Sequence, residues 1–221
     1  MLSRGFRQVG VRRGVCVSAA LFLCALAPSG IEGPGAARRH AETLSAVGPG
    51  EAGAGLATGE TVAEALRRLG RARALDLSAQ DIALRAVLEF TQALGRPDGV
   101  RAAGLVEAAG YQSLPFEGEL PERPAKPISR QTLQLAVGQL PPAKFQQLPV
   151  SAFEVRDRAG IRDLFPAVAQ WMLPTDWAVL VRPVAGFENW VRREACVVVR
   201  LRARKPVIMG GNLLEALGVQ P

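Results

Sequence analysis

The run Glu194 to Arg204 (EACVVVRLRAR) constrains this chain more than any other stretch. Read with the two-residue period of a strand, Ala195, Val197, Val199, Leu201 and Ala203 share one face, while Cys196, Val198, Arg200, Arg202 and Arg204 share the other. A strand that is apolar on one side and charged on the other needs a core beneath it and a second strand beside it. The predicted partner is Trp177 to Val184 (WAVLVRPV), a β-branched run bounded by Pro174 and Gly186. About ten residues separate the two runs, which suits an antiparallel pair joined through Phe187, Glu188, Asn189 and Trp190. Beyond them, Val207 to Gly211 reads as a strand with a glycine turn, and Asn212 to Glu215 as a short capped helix closed by Gly218.

The sequence upstream follows the helical period instead. Thr61-Val62-Ala63-Glu64 has the form of a capping box, Val62, Ala65, Leu66 and Leu69 share a helical face, and Gly70 suits the residue past the end. Ser78 with Asp81 marks a second start, and the helix expected from Ala79 to Leu94 carries Ile82, Val87, Leu88, Phe90 and Leu94 before Gly95. A third helix is expected from Val100 to Ala109. Four prolines in Ser113 to Pro127 (SLPFEGELPERPAKP) then interrupt regular structure. After them, helical stretches are expected at Ser129 to Val137, Pro142 to Leu148 and Ile161 to Leu173. The fold class is therefore α+β: a helical unit over 60–113, a Pro-rich linker over 114–127, and a mixed unit over 128–221 with an antiparallel strand pair. Residues 38–59, rich in Gly, Ala and Pro, read as a flexible linker. Gly59-Glu60-Thr61-Val62, followed by Leu66 and Gly70, resembles the opening of a LysM module, a small glycan-binding unit of cell-envelope proteins. The strand that family has before this point is replaced by linker, and the spacing from Gly70 to Ser78 is long, so no function is carried over.

Residues 1–37 read as an address. Arg4, Arg7, Arg12 and Arg13 precede the apolar run Val15 to Ala27, with no acidic residue among them. Thirteen residues of helix rise only about 20 Å, short of the roughly 30 Å hydrocarbon core, and Pro28-Ser29-Gly30 ends the run. A signal peptide for export to the periplasm or exterior is favoured over an anchor at 15–27. An Arg-rich start is also compatible with a mitochondrial presequence, but a presequence is amphipathic and this run is uniformly apolar. Ala25-Leu26-Ala27 and Gly35-Ala36-Ala37 are the small-residue cleavage candidates. Arg12-Arg13 only weakly resembles a twin-arginine signal, and Cys24, preceded by Leu23, departs from a lipidation site. Transient membrane association through this segment follows from the same pattern. Its removal takes Cys16 and Cys24 with it, leaving Cys196 as the only thiol and no internal disulfide.

The net charge of +7 is unevenly placed. Residues 38–179 balance at 16 basic and 16 acidic groups, whereas residues 180–221 hold 7 and 3. Three units of charge belong to residues 1–37, and the remaining +4 surrounds one strand face, so Arg200, Arg202 and Arg204, with Arg192 and Arg193, are the candidate binding residues. An ordinary solvated face is the default reading of such a stripe, an acidic protein or envelope polymer comes next, and nucleic acid last. Trp171, Trp177 and Trp190 cluster nearby; core packing explains them best, with Trp190 singled out as the candidate exposed contact.

Catalytic options are few. His40 is the single histidine, so Ser-His-Asp and Cys-His sites within this chain are excluded. Cys196 reads as a small buried hydrophobe, although nearby arginines would favour its thiolate. Gly210-Gly211 is a faint candidate anion-binding turn without a phosphate-loop pattern. Glu117, Glu119 and Glu122 are the best carboxylates for a His-independent hydrolase, and solvated linker charges are the better account of them. No metal and no cofactor is implied. The leading expectation is a non-catalytic exported accessory or assembly protein of the cell envelope that acts through a protein partner. The alternatives are a glycan or polyanion binder and a carboxylate hydrolase.

Overall fold

The computed structural model describes residues 59–219 other than 74, 119, 123–125 and 188. The expected targeting segment, and the linker before residue 59, lie outside the described residues. Elements follow in the order α1 (Val62–Arg71), α2 (Ala79–Gly95), α3 (Gly99–Leu105), β1 (Gln112–Ser113), α4 (Arg130–Gly138), β2 (Phe153–Arg156), α5 (Pro166–Trp171), β3 (Trp177–Val181), β4 (Ala195–Arg202), β5 (Lys205–Gly211) and α6 (Leu213–Ala216), with 3-10 turns at Phe145–Gln147 and Val150–Ala152. The fold is α+β. No helix among the described residues is long and apolar enough to cross a membrane.

Local chemistry sets the helix starts where the sequence places them. Thr61 and Glu64 form a reciprocal capping box on α1, and Ser78 and Asp81 form one on α2. The amide and hydroxyl of Thr61 hold the Glu64 carboxyl below its ordinary range. α3 starts at Asp98, whose carboxylate accepts the Arg101 amide at 3.0 Å. Three expected helices contract, and the one expected to run to Ala109 ends at Leu105. Phe165 precedes Pro166 and is held out of the helical region, so α5 begins only at Pro166 and residues 158–164 are turns. Pro142 to Leu148 yields a single 3-10 turn at Phe145–Gln147.

The five strands form one sheet in the order β1-β5-β4-β3-β2, antiparallel except for β1 beside β5. The predicted pair is present: β3 lies against β4 with Leu180 opposite Cys196. β4 turns into β5 through Ala203 and Arg204, at φ 48° and 65°, the left-handed pair of a two-residue hairpin. The expected two-sided pattern of β4 holds only at its end. Ala195 to Val199 are buried on both faces, and exposure begins at Arg200. The sheet edge explains Gly210 and Gly211. A Cβ on Gly210 would stand 2.1 Å from the Gln112 carbonyl oxygen, and one on Gly211 would stand 2.1 Å from that of Cys196. These glycines admit neighbouring backbones rather than form an anion turn, which corrects the sequence reading.

The described residues on both sides of the Pro-rich segment 114–127 belong to one compact unit, and a single apolar cluster runs from Val62 to Val219. α2 packs against β2 to β5, and Phe90 on α2 stacks on Tyr111 at 6.3 Å. The Pro-rich segment is a loop closed at its base, because Tyr111 and Ile128 exchange both backbone hydrogen bonds at 2.8 Å. Prolines forbid helix and ladder within the excursion, but they do not separate its ends.

Candidate functional site

The arginine stripe is tied into the fold by ion pairs and a hydrogen bond to backbone. Arg200 makes a two-pronged contact with Asp176, both bonds at 2.7 Å, and the Asp176 side chain is fully buried. That carboxylate also accepts the Leu173 amide at 2.9 Å, which ties the turn before β3 to β4. Its hydrogen bond raises the Arg200 pKa above the ordinary arginine value. Arg202 reaches Glu107 at 2.8 Å, and Arg204 donates to the Leu77 carbonyl. Arg193 lies 3.3 Å over the Phe116 ring and 3.5 Å from Glu215. Four of the five candidate arginines therefore act within the fold. The fifth, Arg192, is exposed.

Trp190 departs from its expected role. It is 4% exposed, its Nε1 donates to the Arg182 carbonyl at 2.9 Å, and its ring meets Phe145 edge-on at 4.8 Å. The indole was expected at the surface because its loop is polar, yet Phe145 and Phe153 supply an apolar seat for it. Asn189, at φ 64°, turns the chain immediately before it.

Trp190 and Arg192 nevertheless meet at one site. A groove of about 360 Å³ is walled by Leu94 at the end of α2, by Leu140, Pro141 and Phe145, by Asn189, Trp190 and Arg192, and by Glu215 to Gly218 of the C-terminal turn. Its size falls at the small end of ligand pockets, roughly 300–1,000 Å³. Most of the lining side chains are apolar, but polar atoms contribute at least as much of the open wall as apolar ones. At the rim, Glu215 is engaged by Arg193, and Arg192 makes no ion pair with a carboxylate among the described residues. Such a groove can take apolar side chains and one anionic group. No family model, curated protein or solved structure matches this chain.

The other chemical candidates fall out on geometry. Cys196 is fully buried, and burial first, then the Glu194 charge, raises its thiol well above the usual range. The expectation that arginines favour its thiolate is overturned, since Arg200 is committed to Asp176. The Cys196 amide instead donates to Asn212 Oδ1 at 2.6 Å, so Asn212 pins β4 to the start of α6. Glu117 and Glu122 stand exposed on the Pro-rich loop, with no wall to fix a catalytic separation, and Glu119 lies outside the described residues. The groove itself was not legible in the sequence. Its walls come from four segments spread over Leu94 to Gly218, and only the polar loop carrying Asn189, Trp190 and Arg192 gave a signal.

Proposed function

We propose that this protein is an exported, non-catalytic accessory or assembly component of the cell envelope that grips a short segment of a partner protein. The observation that carries the reading is the groove: Leu140, Phe145, Trp190 and Leu217 form an apolar seat, with Arg192 at its rim. That chemistry fits two or three apolar side chains next to an aspartate or glutamate, or next to a C-terminal carboxylate. Export is supported by the basic start and the apolar run Val15 to Ala27.

Selection of peptides on the immobilised full chain tests the contact. The expected ligands share adjacent apolar residues with an acidic one. Arg192→Glu is expected to reverse the preference toward lysine and arginine, and Leu217→Asp to weaken binding by about ten-fold or more. Arg192 is exposed, so its variant keeps the test valid should the leucine variant unfold. Ligands without that pattern, or a preference unchanged by Arg192→Glu, overturn the reading. N-terminal sequencing of the mature chain tests export separately: a chain that retains Met1 excludes a cleaved signal.

A further inference from the structure

The helices carry a second groove of different chemistry. It is open, about 550 Å³ in volume, and lies where α1, α2, α3 and the 3-10 turn at Phe145–Gln147 meet. Ala63 and Leu66 of α1 give it an apolar floor, and around that floor stand Arg67 of α1, Arg101 of α3, Glu89 and Gln92 of α2 and Gln146 of the turn. Both arginines are exposed, and neither makes an ion pair with a carboxylate among the described residues. The reason lies in what the nearby carboxylates do. Glu64, Asp81 and Asp98 cap helices, Glu60 takes Arg68, and Glu89 takes Arg85 at 2.9 Å. Gln146 accepts from Arg96 at 3.2 Å through its carbonyl, which leaves its NH₂ group to donate and brings a third guanidinium to the edge.

We propose that this groove binds a hydroxylated organophosphate, a glycerol phosphate or sugar phosphate unit. Arg67 and Arg101 take the phosphate, because guanidinium forks match its oxygens and bind it by charge-assisted hydrogen bonds. Gln92, Gln146 and Glu89 take the hydroxyls, since amides and a carboxylate offer the donors and acceptors a polyol needs. No aromatic side chain lines the groove, so a nucleobase finds nothing to stack on and a nucleotide gains nothing over the plain ester. A soluble ester, a polymer unit and a lipid headgroup share this chemistry.

Calorimetric titration of the full chain at low ionic strength tests it, with glycerol 1-phosphate, inorganic phosphate and glycerol as probes. Glycerol 1-phosphate is expected to bind about ten-fold tighter than inorganic phosphate, and glycerol alone not at all. Arg67→Ala and Arg101→Ala are each expected to weaken binding by about ten-fold or more, the loss typical of a charged hydrogen bond. Arg192→Ala, in the apolar groove, should leave it unchanged, so the two grooves stand or fall separately. Vesicles of phosphatidylglycerol against phosphatidylcholine distinguish the sources. Retention lost in the Arg67 and Arg101 variants assigns the lipid headgroup, and binding of the soluble ester alone assigns the free or polymeric form. Equal affinity for inorganic phosphate and its glycerol ester overturns the proposal, as does wild-type binding by both alanine variants.

Discussion

The arginines of the sheet end and those of the helices differ in what the fold does with their charge. Around β4, Arg200 and Arg202 reach back to Asp176 and Glu107, and Arg182 reaches Glu194 and Glu154. Around α1 to α3, Arg67, Arg71, Arg96 and Arg101 make no ion pair with a carboxylate among the described residues, because the local acids hold helix ends or other arginines. Beyond residue 37 the formal excess of charge lies in the last 42 residues, yet of the arginines there only Arg192 lacks a tie within the fold, whereas several guanidinium groups on the helices make no ion pair among the described residues. Charge counted along a chain locates an excess; only the fold decides which charges remain available to a ligand.

The largest expected effect tests that contrast through stability. Arg200→Ala leaves the fully buried Asp176 carboxylate without its counter-charge, which is expected to destabilise the protein by about 3–5 kcal/mol. Arg67→Ala and Arg101→Ala remove exposed charges from no ion pair and are expected to stay within about 0.5 kcal/mol. Urea unfolding midpoints measure all three. Comparable losses at the two places would erase the distinction between structural and available arginines.

A second test uses alkaline pH, where the buried side of the comparison is again the sensitive one. Burial raises the Tyr111 hydroxyl and the Cys196 thiol far above their ordinary values of 10.0 and 9.0, so both stay neutral in the native state. The unfolded chain ionises at the ordinary values. Stability from these groups is therefore complete below pH 9 and falls as pH rises, by about 1.4 kcal/mol per pH unit for the thiol, with the hydroxyl adding the same slope above pH 10. Tyr111→Phe is expected to flatten the limb above pH 10, measured by unfolding between pH 8 and 11. Correspondingly, Cys196 in the native protein should resist a thiol reagent at pH 8 and react once unfolded; fast native labelling would break the account.

What the sequence discloses here is local, and what it hides is long-range. The caps at Thr61 and Ser78 are legible because their chemistry closes within three residues, and the pairing of β3 with β4 is legible because two β-branched runs face each other across a short loop. β2 is not, since Phe153 to Arg156 is too short to show a period, and β1 has only two residues. The closure of the 114–127 loop is hidden because composition reports flexibility, whereas closure depends on a backbone pairing of Tyr111 with Ile128. The same limit governs both sites. Arg200 and Asp176 stand 24 positions apart and Arg202 and Glu107 stand 95 apart, so a stripe that reads as a binding face becomes a set of internal ties. Arg67 and Arg101 give no signal in the sequence because they lie in separate helices within a segment whose charges sum to zero.

Arg202 offers the smallest effect and the finest test, because it lies between the two classes. Its side chain is 56% exposed, like a free surface arginine, but its partner Glu107 is only 15% exposed, approaching the setting of Asp176. Solvent at the guanidinium screens the pair, and holding a long side chain in one geometry costs entropy, so Arg202→Ala is expected to lose no more than about 1 kcal/mol. Salt decides which partner governs. If the exposed arginine sets the strength, the difference between variant and wild type shrinks toward zero at 1 M salt, where the screening length is about 3 Å. If the sheltered Glu107 sets it, the loss persists at high salt, as expected for Arg200→Ala. Unfolding midpoints in low and high salt separate the two, and a loss from Arg202→Ala equal to that from Arg200→Ala would show that burial of the carboxylate alone makes an arginine structural.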